Sequence, residues 1–116
     1  MPENIIIQKT ADFSVRIVNL YKYLQREKKE YSLSKQLLRC GTSIGANVAE
    51  AQYGHSKADF HSKMRIALKE AGEANHWIQL LYTTQYLTKR EYESLNKDLT
   101  EILKILAAIC KTTANQ

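Results

Sequence analysis

Apolar residues recur along most of the chain at spacings of three and four, the period of α-helices that bury one side. The pattern predicts helices over residues 11–27, 34–53, 57–84 and 89–111, and no segment alternates as a β-strand does. Four amphipathic helices joined by short links are typical of an all-α fold, the antiparallel up-down-up-down four-helix bundle. The longest apolar seam, in the third helix, consists of Phe60, Met64, Ala67, Ala71, Ala74, Ile78 and Leu81.

Polar residues at the breaks in this pattern predict where the helices begin. Thr10 is expected to cap the first helix, and residues 1–9, with three isoleucines, are expected to form an arm lying against the bundle or a neighbouring subunit. Ser32 or Ser34 is expected to cap the second helix, and Gly54 to end it as a left-handed residue.

Two Ser/Thr residues followed by an acid three positions later mark the other helix starts. Ser56 with Asp59 predicts a capping-box-like start for the third helix, and Thr88 with Glu91 predicts a capping box for the fourth.

The second helix carries a row of small residues, Gly41, Gly45 and Ala49. A glycine inside a helix costs about 0.5–1 kcal/mol relative to alanine, so two glycines in one row indicate that another helix comes close. In the third helix, the alanine-rich middle of the seam, with Gly72 beside it, predicts close packing against a bulkier neighbour.

Beside its core face the second helix has a polar stripe of Ser43, Asn47 and Glu50. Polar groups at such a border must find partners or stay hydrated. We favour a structural role, in which the stripe bonds to a neighbouring helix or subunit and fixes its register. The alternative is ligand binding.

Size and composition bound the class of protein. A chain of 116 residues predicts a single domain over 1–116, and its longest apolar run, about five residues, is too short for a membrane span. The N-terminus lacks the features of a signal peptide, so we expect a cytoplasmic protein without a membrane partner. Cys40 and Cys110 are expected to be buried thiols without a disulfide.

The sequence contains no motif typical of catalysis, metal binding or nucleotide-phosphate binding. His55, His61 and His76 lack metal-ligand spacing, GTSIG falls inside a helix rather than at a nucleophile elbow, and no phosphate loop occurs. We therefore expect no catalytic residue, no metal, no cofactor and no small-molecule substrate.

Positive charge is concentrated around the link between the first two helices. The formal charge is +5, and between residues 22 and 39 only Glu27 and Glu30 oppose six cations. Such a field attracts phosphates, and Tyr23 and Tyr31 could stack on bases, whereas the bland alternative is a solvated corner. The six candidate nucleic-acid-binding residues are Lys22, Arg26, Lys28, Lys29, Lys35 and Arg39.

Aromatic residues suggest a second kind of surface. Trp77, Tyr82 and Tyr86 are expected to be exposed on the outer side of the third helix and its exit. Aromatic anchors favour interfaces, so these residues are candidates for an oligomer or protein-partner surface.

The segment QLLRCGTSIGANVAE, residues 36–50, resembles the four-helix bundle proteins encoded in intervening sequences of bacterial 23S rRNA genes. Family-like features also occur at Ser56, Lys57 and Phe60 and in the segment 66–73, so the resemblance spans nearly the full length. The chain departs from the family pattern after the Ala-Glu pair, where a glycine is usual, and in the segment that follows Ile-Ala-Leu.

The resemblance implies the same four-helix fold. A related group is similar to the accessory proteins of diversity-generating retroelements, which form homopentamers with basic surfaces and cooperate with a reverse transcriptase and its RNA. Our first hypothesis is therefore a non-catalytic bundle that self-associates, with a pentamer favoured, and binds RNA, DNA or a nucleoprotein. The alternative is a structural or protein-interaction module without a nucleic-acid role.

Overall fold

The computed structural model describes the backbone of residues 2–115 and the side chains of residues 4–115. Four helices fill most of this length: α1 Pro2–Arg26, α2 Leu33–Ala51, α3 Lys57–Thr83 and α4 Lys89–Thr113. Each helix packs against its neighbours in sequence, and α4 returns to pack against α1. The predicted antiparallel four-helix bundle is confirmed, with extents of 46 × 21 × 19 Å.

One continuous apolar core runs along the bundle axis. Six of the seven seam residues of α3 are buried, and Phe60 at its start is half-buried. From α1, Phe13 and Ile17 enter this core, and every third or fourth residue of α4 from Leu95 to Ile109 does the same. The seams therefore meet as their periods predict.

Helix α1 begins earlier than the sequence pattern predicts. Thr10 is not an N-cap, because it lies inside α1, where it is 1% exposed and its hydroxyl donates to the Ile6 carbonyl at 2.7 Å. Ile6 is fully buried and anchors the first turns, while Ile5 and Ile7 are 48% and 37% exposed. The predicted arm is thus helical over residues 2–9, and Met1 lies outside the described residues.

The glycines of α2 permit its close approach to α1. A β-carbon at Gly41 would lie 3.0 Å from two side-chain carbons of Ile17, and one at Gly45 would lie 3.2 Å from the Thr10 carbonyl oxygen. The predicted close contact is confirmed for Gly41 and Gly45, whereas Ala49, the third residue of the row, is exposed.

In α3 the seam alanines Ala67, Ala71 and Ala74 are buried, as close packing requires. Gly72 beside them is exposed, and within the described chain a β-carbon there would meet nothing within 4 Å beyond the nearby backbone of its own helix.

The starts of α3 and α4 follow the sequence signals. The Ser56 hydroxyl accepts from the Asp59 backbone N–H at 3.0 Å. In α4 the capping box is complete, since Thr88 and Glu91 each accept a backbone N–H from the other, at 3.2 and 2.8 Å.

The end of α2 does not follow its predicted geometry. The helix ends at Ala51, and Gly54 does not adopt a positive φ, so the left-handed cap is wrong. A glycine is instead favoured at position 54 because a side chain there would crowd the start of α3. A β-carbon there would lie 3.2 Å from an Asp59 carboxylate oxygen and 3.3 Å from the Phe60 backbone nitrogen.

Both cysteines are buried and free. Burial, assisted by the charge of Glu73, raises the pKa of the Cys40 thiol to about 12. Burial also raises the pKa of Cys110. The two thiols pack as small apolar side chains.

Candidate nucleic-acid interface

The turn between α1 and α2 spans residues 27–32 and carries the centre of the basic cluster. Lys29 adopts φ 55°, the left-handed region that non-glycine residues rarely enter. The Glu30 backbone N–H then donates to the Leu24 carbonyl at 3.0 Å, which folds the turn back onto α1.

Glu30 caps α2 with its side chain. Its carboxylate accepts the backbone N–H groups of Ser32, Leu33 and Ser34 at 3.1, 2.8 and 2.7 Å. Ser32 occupies the N-cap position without a side-chain bond, and the Ser34 hydroxyl donates to the Glu30 carbonyl at 2.9 Å. Ser32 thus holds one of the two predicted N-cap positions, but the capping bonds come from Glu30 rather than from a serine hydroxyl. The sequence feature that indicates this cap is the acid Glu30 just before the start of α2, where a carboxylate can accept the unpaired N–H groups of the first turn.

The capping bonds keep Glu30 ionised although it is only 7% exposed. Burial works to raise the pKa of the Glu30 carboxyl, but the bonds from backbone N–H groups outweigh it and hold the pKa below the ordinary value of 4.5. The charge of Glu30 is thus directed at the helix terminus.

Five of the six predicted cations are exposed at this end of the bundle, and none of them forms an ion pair within residues 4–115. The Lys28 ammonium lies 6.0 Å from the ring centroid of Tyr23. Since Glu30 is engaged as a cap, Glu27 is the one exposed acid of this segment. These five residues, Lys22, Arg26, Lys28, Lys29 and Lys35, are named the basic end below.

Arg39, the sixth predicted cation, does not join the basic end. Its guanidinium forms an ion pair with Glu73 and lies 3.6 Å from Glu70, both on α3. The Trp77 indole N–H donates to the same Glu73 carboxylate at 3.1 Å. The charge of Arg39 is therefore compensated within the α2–α3 contact.

The polar stripe on α2 is mostly satisfied by its own helix. The Ser43 hydroxyl donates to the Arg39 carbonyl at 2.7 Å, and the Asn47 amide donates to the Ser43 carbonyl at 2.8 Å. Glu50 alone reaches a neighbouring helix, through an ion pair with Lys63 at 3.2 Å. Ser43 and Asn47 make no side-chain hydrogen bond to another helix in the described chain, because each donates to a backbone carbonyl one turn earlier in α2.

The aromatic residues predicted as an exposed surface are half-buried. Trp77, Tyr82 and Tyr86 pack against the core, and the Tyr82 ring stacks on Tyr92 with centroids 4.3 Å apart and planes 9° from parallel. They are less available to a partner than predicted, because their faces already contact the chain itself. The exposed aromatic residues are Tyr23, Tyr31 and Tyr53, at 38%, 55% and 85%.

The part of the chain that the structure describes contains neither a metal-binding cluster nor a membrane-spanning helix. No three His, Cys, Asp or Glu side chains lie close enough together to hold a metal ion. No helix among these residues is long and apolar enough to cross a bilayer.

Fold and surface together define a four-helix bundle protein with a positively charged end. The model of the 23S rRNA-intervening sequence protein family matches residues 2–108, and the chain belongs to this family. It is also similar to a solved structure from Bacteroides thetaiotaomicron VPI-5482, described as a protein with unknown function from the S23 ribosomal protein family. The TM-score is 0.94 with 54% identity, over 96% of this chain and 99% of that one. The comparison with curated proteins gave no match.

Proposed function

We propose that this family member is a cytoplasmic, non-catalytic bundle that self-associates and binds RNA, DNA or a nucleoprotein through its basic end. The observation that carries the proposal is the five exposed cations without ion pairs in the described chain. Their countercharge is reduced because Glu30 is committed to the α2 terminus. Neutralising phosphates with such cations releases counterions and favours binding at low salt.

Self-association strengthens this proposal. One basic end holds few cations and would bind weakly, but several copies on one particle multiply weak contacts into useful avidity. Exposed apolar side chains such as Ile5, Val15 and Ile66, at 48%, 61% and 40%, support contacts between copies. The resemblance to homopentameric accessory proteins makes a pentamer the assembly that we propose.

The proposal predicts strongly salt-dependent binding that depends on the position of the charges. In fluorescence anisotropy with labelled RNA and DNA, the Lys28→Glu, Lys29→Glu, Lys35→Glu variant should lose binding, because its phosphate contacts become repulsive. The slope of log K against log salt should also fall.

A matched control reverses three exposed lysines elsewhere on the bundle, Lys57, Lys104 and Lys111. Both variants have the same net charge, so the control should keep most of the affinity if position matters. Equal losses in the two variants would show a general charge effect and contradict a site at the basic end. No binding by the natural chain at low salt would overturn the proposal.

Light scattering measures the assembly directly. We expect a molar mass several times that of one chain. A monomer at every concentration would contradict self-association. An oligomer that binds no nucleic acid would leave the structural or protein-interaction module as the function.

A further inference from the structure

Helices α1 and α4 are joined in a fixed antiparallel register. The Lys9 ammonium contacts the Glu101 carboxylate at 2.7 Å, and the Arg16 guanidinium contacts Asp98 at 2.6 Å. As the residue number rises along α1, its partner's number falls along α4. The register therefore tells which part of α4 lies beside the end of α1.

Tyr23 lies about two helical turns beyond Arg16. The same distance back along α4 from the Arg16 contacts, which include the Ser94 hydroxyl at 3.0 Å, reaches its first turn. That turn contains Lys89 and Arg90, both exposed. Two cations distant in sequence are thus brought to the level of Tyr23.

A groove of about 260 Å³ lies between the two helices, and its lining includes Leu20 and Leu95 together with Asn19 and Glu91. Tyr23 follows Leu20 by about one turn of α1, so its ring, which is 38% exposed, lies one turn beyond the residues that line the groove.

The helix termini at this end are already occupied. The first N–H groups of α2 are bound by Glu30, and the start of α4 is closed by the Thr88–Glu91 capping box. Phosphates must therefore be held by flexible lysine and arginine side chains rather than by a helix N-terminus. Contacts of that kind follow a backbone of irregular shape as readily as a regular duplex.

Exposed aromatic rings distinguish a single strand from a duplex. Tyr31, in the turn between the basic end's lysines, is 55% exposed, and Tyr23 lies beneath the Lys28 ammonium. A ring can stack on a base only where the face of that base is free, as it is in a single strand. Aromatic rings among unpaired cations are the arrangement found in single-strand binding surfaces.

We infer that the basic end binds single-stranded nucleic acid, with bases stacked on Tyr23 and Tyr31 and with Lys89 and Arg90 extending the phosphate track onto α4. This inference rests on the proposed function and names its ligand. Neither α4 residue belongs to the cluster that the sequence pattern identifies, because about sixty residues separate them from it.

The test compares an unstructured single strand with the duplex of the same sequence by fluorescence anisotropy. The Tyr23→Ala, Tyr31→Ala variant should bind the single strand about tenfold or more weakly, because stacking contributes about 1–3 kcal/mol per base, while duplex binding stays unchanged. The Tyr23→Phe, Tyr31→Phe variant keeps the rings and should keep the affinity. Tyr53→Ala, at the opposite end of the bundle, is the matched control and should have no effect.

A second variant tests the proposed phosphate contacts on α4 independently of the tyrosine rings. Lys89→Glu, Arg90→Glu should weaken single-strand binding and lower the salt slope by about 0.7 for each lost contact. Both tyrosines are exposed, so their truncation leaves the core intact, and circular dichroism checks that the variants are folded.

The outcomes separate the two proposals. If the alanine and phenylalanine variants bind the single strand equally, or if the duplex binds as well as the single strand, the inference is wrong while the proposed function stands. If the natural chain binds neither ligand at low salt, the proposed function fails and the inference fails with it.

Discussion

Glu30 connects the shape of the α1–α2 turn to the charge of its surface. Its carboxylate holds three backbone N–H groups at the start of α2 while the neighbouring lysines face solvent. A local sequence rule identified the Thr88–Glu91 capping box, because both partners lie within one turn. The same rules missed Glu30, since an acid inside a run of lysines looks like one more solvated charge.

Removing the Glu30 carboxylate should destabilise the bundle. We expect Glu30→Ala to lower the free energy of unfolding by about 2 kcal/mol, because three backbone N–H groups, of which that of Ser34 is buried, lose a charged acceptor. Chemical denaturation measures this change. Glu27→Ala, in the same turn but exposed, is the control and should change stability little; equal effects would contradict the capping role.

The contribution of Glu30 should also depend on pH. Its pKa in the folded state lies below the ordinary value of 4.5, so its stabilisation is complete above that value and is lost as pH falls through the folded pKa. The stability difference between the natural chain and Glu30→Gln should therefore shrink in acid. A difference that stays constant between neutral and strongly acidic pH would contradict this assignment.

At the scale of the helix, the start of α1 was predicted too late. The N-cap preference of threonine favoured a start after Thr10, although Ile6 lies on the same helical face as Phe13 and Ile17. Burial of Ile6 stabilises the earlier turns, and the Thr10 hydroxyl bonds within the helix. Tertiary packing outweighs a local preference of this size.

The two kinds of helical glycine should respond oppositely to alanine. Gly72→Ala should raise the free energy of unfolding by about 0.5–1 kcal/mol, because the added methyl group meets no neighbour and alanine is the better helix former. Gly41→Ala should lower it by about 1 kcal/mol, because the methyl group would press on buried Ile17 at 3.0 Å. Urea denaturation of both variants tests the pair, and a stabilised Gly41→Ala would show that α1 and α2 have room to separate.

At the scale of the molecule, the sequence predicts the fold more completely than the site. Four seams of helical period and short links allow few arrangements, so the bundle could be predicted from the spacing of apolar residues alone. The surface depends on which ends of the helices meet. Lys89 and Arg90 come to the level of Tyr23 only through the α1–α4 register, and the charge of Arg39 is paired with Glu73 on another helix. Neither relation is visible in local sequence.

The buried thiol of Cys40 makes the opening of the bundle measurable. Alkylating reagents attack thiolates, and a thiol that is both covered and protonated to about pH 12 reacts only after the bundle opens. We expect iodoacetamide to modify Cys40 in the native protein far more slowly than in urea, with mass spectrometry following the reaction. Modification at the rate of a free peptide thiol would mean that α2 detaches readily from the core. The rate of labelling would thus report how often the helices part, without any added probe.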